Sequence, residues 1–410
     1  MAVFSYMNNN KVSITVDGEV FEFWESANIS SELTTIAPSF SLAATFSLPQ
    51  GKRTLATLAV GKRVQVKIGD DVVVTGYIDK TPVNYSASSV TISISGRSKT
   101  EDLVDCSVIP KDTSIDIDNS HKWGNFTEVV TGEVIQPPAL TATHWSNTSM
   151  CKIIAQLAGS YGVKFVDQSG FDTVVKSFGT DGVDTVLKTL QNLTAKNKLI
   201  FCGDEYGNLV LVSVGYKKNG KPVENLILGQ NILSCSANFD GSKLFSEYQV
   251  KAQENGTNSK GGQSLNSSAN QINNFFDRVR LGVSKSSGSS TITTCQDQAE
   301  FKNDYNLAQF YKTSYTIQGW RRSDGNLWKI NEFVNITDSF LGFKDNLMLI
   351  TKVTFDLSNG EGMTTTLEVV PPAGAVDWLS TNNSAKQKET SKGKTSTLAS
   401  NTNDLSWINA

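Results

Sequence analysis

Histidine is nearly absent from this sequence. The 410-residue chain has two, His121 and His144, too few for histidine-based catalysis or an imidazole metal site. Cysteine is sparse and scattered. Cys106, Cys151, Cys202, Cys235 and Cys295 include no Cys-x-x-Cys pair, which excludes a zinc-ribbon spacing and a dense disulfide framework. Such an odd set is expected to be buried free thiols, in keeping with assembly in a reducing cytoplasm. Charge is low as well, 19% of residues against about 25% in an average globular chain. The 37 basic and 40 acidic residues leave a net charge of −3. That balance argues against a nucleic-acid backbone as the main partner, which needs a basic surface. No apolar run approaches the roughly 20 residues of a membrane-spanning helix, so no membrane insertion is expected. The opening MAVFSYMNNNKVSITV lacks the basic-then-apolar order of a secretory signal.

What is present is β-pattern. KVSITV (11–16) alternates Val12, Ile14 and Val16 with polar residues, Asp17-Gly18 signals a turn, and EVFEFW (19–24) alternates again. FSLAATFSL (40–48), RVQVKI (63–68), VVVTGYI (72–78) and SVTISISG (89–96) continue the series. Short strands at this spacing predict a small barrel or sandwich over 1–110.

Between 111 and 224 the period changes. Met150, Ile153, Ile154, Leu157, Ala158 and Tyr161 recur at helical spacing, with Asn147, Thr148 or Ser149 as cap and Gly162 as stop. VKFV (163–166) predicts a short strand, and Asp181 caps a second helix carrying Val183, Val186, Leu187, Leu190 and Leu193. LIFCG (199–203) and NLVLVSV (208–214) flank a hairpin loop, Asp204-Glu205-Tyr206-Gly207. Too few strands alternate with the helices for a doubly wound sheet, so this segment is expected to be a compact α+β module.

The β-pattern returns over 225–378. A polar insert at 254–274 has too little apolar content for a core and is expected to be a long loop or arm. A helix is predicted over about 297–312, then strands at SYTIQGW (314–320), FVNITD (333–338), NLMLITKVTFDLS (346–358) and MTTTLEVV (363–370). Strands and turns follow the same order at 63–96 and at 333–370, which predicts two related barrels. Residues 379–410 form a Ser/Thr/Asn/Lys tail whose last apolar cluster is Leu405, Trp407 and Ile408. Such a tail is disordered alone and is expected to dock on a partner through these residues.

Little in the chain resembles catalytic chemistry. No Walker loop, His-Glu-x-x-His or Gly-x-Ser-x-Gly occurs. SIDIDNSHKW (114–123) begins like a calcium loop, but His121 holds the glycine position and Thr127 the terminal glutamate position. Asp102/Asp105 and Glu300/Asp304 are carboxylate pairs of the kind glycoside hydrolysis uses, and are expected to be solvated charges instead. Trp24, Trp320 and Trp328 lie in strand-like runs and are expected in the core. Trp378 and Trp407 lie in or beside the tail, where a large aromatic suits a protein contact. No metal and no cofactor is expected.

The order of these parts resembles the baseplate hub proteins of contractile-tailed, Mu-like phages. The resemblance runs over roughly 1–375. It is carried by DGEVFEFWESANISSELTTIAPSFSLAATFSL (17–48) and by the stretch from Val60 to Val108, with Gly96-Arg97-Ser98, Asp102, Leu103 and Asp105. TIQGWRRSDGNLWKINEFVNITD (316–338), with Gly319-Trp320 and Gly325, Leu327 and Trp328, carries the second half.

The resemblance implies a mainly β chain with two tail-tube-like barrels flanking a small α+β domain, assembled as a ring-shaped homotrimer. It implies a symmetry adaptor in the virion tail that joins a six-fold tail tube to a three-fold central spike. The implied partners are the tube or tube-initiator protein, the spike protein and other baseplate proteins, with phage DNA only as passing cargo. Such a protein is not an enzyme. The alternatives are a tail-tip cell-wall hydrolase and a carbohydrate- or receptor-binding tail protein.

Overall fold

The computed structural model describes residues 10–108, 126–127, 134–135, 143–180, 182–194, 199–212, 221–254, 265–273, 278–285, 292–358 and 360–372. Leu405, Trp407, Ile408, Trp378, the 114–123 loop with His121, and the helix cap Asp181 lie outside the described residues.

The N-terminal strands are β1 (Val12–Val16), β2 (Glu19–Phe21), β3 (Ser26–Glu32), β4 (Ser39–Ser47), β5 (Arg63–Ile68), β6 (Asp71–Lys80), β7 (Val83–Tyr85) and β8 (Ser89–Ser98). In β1, β5 and β8 every second residue is buried, because Val and Ile hold alternate positions and successive side chains point to opposite faces. β2 stops short of Trp24, where Phe23 takes a left-handed φ of 70° that a strand cannot continue. Three elements have no counterpart in the hydrophobic pattern: β3, β7, and helix α1 (Leu48–Thr57), which has a proline in its first turn.

Helix α2 (Glu101–Asp105) leads out of this set. A two-residue pair, β9 (Phe126–Thr127) with β10 (Val134–Ile135), precedes the α+β module. The module contains β11 (His144–Ser149), helix α3 (Met150–Gly159), β12 (Phe165–Asp167), β13 (Val174–Gly179), helix α4 (Val186–Thr194), β14 (Ile200–Gly203) and β15 (Leu209–Val212). The Ser149 hydroxyl caps α3 by accepting from the Lys152 amide at 3.3 Å, and Gly162 follows the helix at a φ of 68°. Met150, Ile153, Ile154 and Leu157 of α3 meet Val186 and Leu190 of α4 and Leu209 and Leu211 of β15 in a core of their own. Val183 is exposed and precedes α4 instead of joining it.

The C-terminal strands are β16 (Pro222–Ile227), β17 (Ile232–Ala237), β18 (Glu247–Glu254), β19 (Leu265–Ile272) and β20 (Leu281–Lys285). Helix α5 (Ile292–Phe310) comes next, then β21 (Thr313–Gln318), β22 (Phe333–Asp338), β23 (Phe343–Ser358) and β24 (Gly362–Val370). The 254–274 insert is not a loop throughout. Its second half is β19, which pairs along its length with β18, and β18 also pairs with β20. The strand forms on backbone hydrogen bonds and one small apolar residue: Ala269 sits opposite Val250, both buried, beside Cys295 and Ala299 of α5.

The sheet order shows the chain's strand pattern twice. The first set runs β3-β4-β8-β6-β5-β1, and the second runs β17-β21-β24-β23-β22-β16, the last pair differing in direction, antiparallel for β1–β5 and parallel for β16–β22. The likeness extends to single residues. The β6–β8 ladder shifts register between Ile78 and Lys80, and the β23–β24 ladder shifts between Ile350 and Lys352. At the entry to β5 the Gly61 amide donates to the Ile78 carbonyl, and the Ile78 amide donates to Lys62. At the entry to β22 the Asn331 amide donates to Ile350, and the Ile350 amide donates to Glu332. Gly61 and Asn331 both take positive φ, 81° and 60°.

Instead of two closed barrels, the two strand sets with β2 and β7 form one continuous 14-stranded sheet. β23 is 16 residues long and β22 only 6, so the far half of β23 has an edge that β22 does not cover. β3 fills it, antiparallel, from Lys352↔Glu32 to Leu357↔Ala27. β16 and β17 touch only through a single bridge, Leu228↔Ile232, and among the described strands β2 pairs with β1 alone. One apolar core runs across the joint: Ile29 and Leu42 belong to the same cluster as Val353 and Phe355. Trp24, Trp320 and Trp328 are buried in it, as expected.

Candidate functional site

The place where the two strand sets meet carries specific side-chain bonding. Across the β3–β23 joint the Asn28 Nδ2 donates to Asp356 Oδ1 at 2.6 Å, and the Ser30 and Thr354 hydroxyls lie 3.4 Å apart. Beneath them, the buried Trp320 Nε1 donates to the carbonyls of Asp356 and Thr364, both at 3.0 Å, which ties β23 to β24. The next residue, Arg321, spans the sets. Its guanidinium donates to Asp71 Oδ2 (2.7 Å), the Ile68 carbonyl (3.1 Å), Asn10 Oδ1 (3.2 Å) and the Gly325 carbonyl (3.0 Å). Arg322 turns inward to Glu332 at 2.6 Å, with both side chains less than a tenth exposed.

The module is pinned to both sets by its hairpin loop. Asp204 accepts from the Tyr206 and Asn208 amides and from Asn208 Nδ2, a self-bonded turn. Burial raises the Asp204 carboxyl above its ordinary value despite these bonds. The next residue, Glu205, accepts from Thr75 Oγ1 of β6 through its carbonyl (3.0 Å) and from Lys329 Nζ of the second set through Oε1 (2.9 Å). The loop was legible in the sequence, but its partners were not.

The strongest titratable cluster lies where the first set exits. Arg97 on β8 pairs with Asp79 (2.9 Å), Glu101 (3.0 Å) and Asp105 (2.7 Å). Hydrogen bonding to Asp105 holds the guanidinium above its usual range. Burial, then the nearby Asp79 carboxylate, pushes the Glu101 carboxyl up to about 8. Burial, then Asp105, also raises Asp102. A raised carboxyl beside a charged one is what a general acid requires. Here, though, Glu101 is only 7% exposed and is engaged by the arginine that ties β8 to α2. Of the predicted carboxylate pair, Asp105 is exposed while it bonds Arg97, and Asp102 is half-buried. Glu300 accepts from Gln296 one turn earlier on α5 (2.9 Å), and Asp304 accepts from Asn303 (3.2 Å). His144 is exposed at the start of β11.

The Glu101 environment has a measurable consequence. The folded chain holds this proton more tightly than the unfolded chain. Stability from the group is full below the ordinary carboxylate range and is lost as pH rises to about 8. Thermal midpoints from about pH 5 to about pH 9 are expected to fall through that window, and the fall to shrink in Glu101→Gln. Parallel profiles for the two proteins would discount the residue.

Beyond the joint, the described surface has open strand edges. Among the described strands β17 forms a ladder with β21 alone, and β7 with β8 alone. Leu233 on β17 is 56% exposed and Tyr85 on β7 is 78% exposed. Cys235, expected to be buried, is exposed on β17. The expected docking residues Leu405, Trp407 and Ile408 lie outside the described residues. Sequence reasoning missed both edges. The signal available for β7 was Val83 and Tyr85 flanking Asn84 after a proline, three residues that alternate too briefly to read.

Comparison with known proteins places these features. Residues 11–98 match the family described as Mu phage baseplate assembly protein GpP-like, N-terminal. Residues 291–377 match that described as Mu phage baseplate assembly protein GpP, fourth domain. The matches cover β1–β8 and the stretch from α5 to β24. Baseplate hub protein gp44 of Escherichia phage Mu is 25% identical over 374 residues, 89% of each chain. The fold is shared with the 43 kDa tail protein of prophage MuSo2 from Shewanella oneidensis, at a TM-score of 0.71 and 22% identity over 90% of this chain and 99% of that one. It is shared too with a tail protein from Neisseria meningitidis MC58, at 0.69 and 20% over 90% and 98%.

Proposed function

We infer the function from the family: the chain belongs to the baseplate hub proteins of Mu-like contractile phage tails, and is a structural protein of the virion tail. Within that role we propose a homotrimeric symmetry adaptor. The observation that carries the proposal is the doubled strand order with its doubled bulge. A chain that presents one sheet pattern twice lets three chains present it six times. That number suits a six-fold tube on one side, while the three modules and tails suit a three-fold spike on the other. Strand pairing around such a ring covers edges that otherwise aggregate. The low charge suits a channel through which DNA slides without its phosphates being held.

On this reading 1–110 and 225–378 are the two tube-like halves, 111–224 is the module, and 379–410 is the docking tail. The partners are the tube or tube-initiator protein, the spike and neighbouring baseplate proteins, and assembly takes place in the host cytoplasm. The native mass of the purified chain tests the core of the proposal: a trimer is expected, and a monomer at high concentration would overturn it. An image of the native tail is expected to place the protein between tube and spike.

The tail has its own test. Deleting 398–410, which removes Leu405, Trp407 and Ile408, is expected to leave the trimer intact and to lose the spike from purified tails. Tails that keep a full complement of spike after the deletion would remove the docking role.

A further inference from the structure

The within-chain joint is a template for a joint between chains. We propose that β17 of one chain pairs antiparallel with the outer edge of β7 in the next, so that Cys235, Ser236 and Ala237 lie opposite Tyr85, Asn84 and Val83. The proposal deepens the ring reading above and rests on it.

The argument is one of register. Matching the two ladders at their shared bulge sets Lys80 in the place of Lys352 and Ser95 in that of Glu368. Counting on, Val83, Asn84 and Tyr85, opposite Ile92, Thr91 and Val90, take the places of Phe355, Asp356 and Leu357, opposite Thr365, Thr364 and Met363. β7 is thus the counterpart of the far half of β23. In the same way Cys235 opposite Tyr315 takes the place of Ala27 opposite Leu42, which makes β17 the counterpart of β3. In the second set the far half of β23 is covered by β3. Among the described strands nothing pairs with the equivalent edge, β7, in the first set, and in the second set none forms a ladder on the outer edge of β17. The element that would cover each within one chain is already used at the joint. Between copies, head to tail, the two edges can satisfy each other, and that is the heterologous contact that closes a ring.

The chemistry of the edges agrees. The Ser93 amide donates to the Pro82 carbonyl, so the proline's missing N–H faces β8 and not the outer edge. In antiparallel strands the bonding direction alternates by residue, so the amides and carbonyls of Val83 and Tyr85 point outward. Pairing in the within-chain register also sets the exposed Lys80 opposite the exposed Asp240, as Lys352 lies opposite Glu32. It sets Ser236 opposite Asn84 where Asn28 bonds Asp356.

Directly opposed antiparallel residues have Cα atoms about 4.5–5.5 Å apart, a span a disulfide bridges. Tyr85→Cys in the full chain, oxidised with diamide, is expected to link Cys235 of the neighbouring copy. The result is a covalent trimer on a non-reducing gel, absent from wild type and lost again in Tyr85→Cys with Cys235→Ser. Asn84→Cys with Ser236→Cys is the second pair and is expected to give the same trimer. Both sites are exposed, so the fold is expected to tolerate the changes. A native trimer in which neither pair links would overturn this joint and leave the ring reading standing. A chain that is monomeric by native mass would overturn both.

Discussion

Gly76→Ala is expected to destabilise the folded chain by about 3 kcal/mol or more, at or above the upper end of the usual cost of overpacking. A Cβ at Gly76 would lie 1.8 Å from the Arg97 carbonyl oxygen, 2.6 Å from the Ser98 Cα and 2.7 Å from the Arg97 carbonyl carbon. All three are backbone atoms of β8, so no side chain can swing aside. Nor can β8 retreat, because β4 pairs with it along its other edge from Ser39↔Arg97 to Ser47↔Ser89. The strain therefore falls on the β6–β8 ladder and on the Arg97 network beside it. Urea unfolding measures the effect. Gly360→Ala, where an added Cβ meets nothing within 4 Å, is the matched control and is expected to stay within about 0.5 kcal/mol of wild type. Equal midpoints for the two variants would refute the close approach of β6 and β8.

Arg322→Met is the second large effect, expected at about 3–5 kcal/mol, the usual cost of stripping one partner from a buried ion pair. Glu332 keeps its burial in this variant and loses the guanidinium 2.6 Å away. The Glu332 backbone also holds the Ile350 amide, so the damage reaches the bulge on β23. A second change, Glu332→Leu, removes the buried carboxylate as well. The double variant is expected to recover most of the loss, since a hydrophobic pair of similar volume is often no worse than the ion pair it replaces. Thermal and urea unfolding of the four proteins in the cycle gives the coupling. Additive losses would mean that the two side chains do not act as a pair.

Much of the fold could be read from alternation, where it was strict. RVQVKI and FVNITD match β5 and β22 residue for residue, because Val or Ile at every second position leaves one face apolar. α3 was legible for the parallel reason, helical spacing before the stop Gly162, with Ser149 the one of three candidate caps that the helix uses. β3 was not legible. In SANISSE only Ala27 and Ile29 are buried, and small polar residues fill the rest. Its strand identity comes from the neighbours that pair with it on both sides, which is tertiary information. β19 failed for the same reason. The doubled order of strands was visible as a weak repeat, yet the joint that merges the halves depends on β23 outrunning β22. That excess length was visible in NLMLITKVTFDLS (346–358) beside FVNITD (333–338), but which strand fills the edge it leaves is tertiary information. The interaction edges were invisible because an edge is defined by what fails to pair.

The β3–β23 joint also sets a timetable. Its side-chain bonds link residues 328 and 324 positions apart, so nearly the whole chain must leave the ribosome before β3 finds its outer neighbour. Until then the N-terminal half carries a bare strand edge, the kind that recruits other nascent chains. Contacts this distant in sequence also slow the search for the native state. The small polar side chains of β3, which hide it from pattern reading, make that waiting edge less sticky. A strand written in Ser, Asn and Ala can stay solvated through synthesis and commit only when Phe355 arrives to bury Ile29.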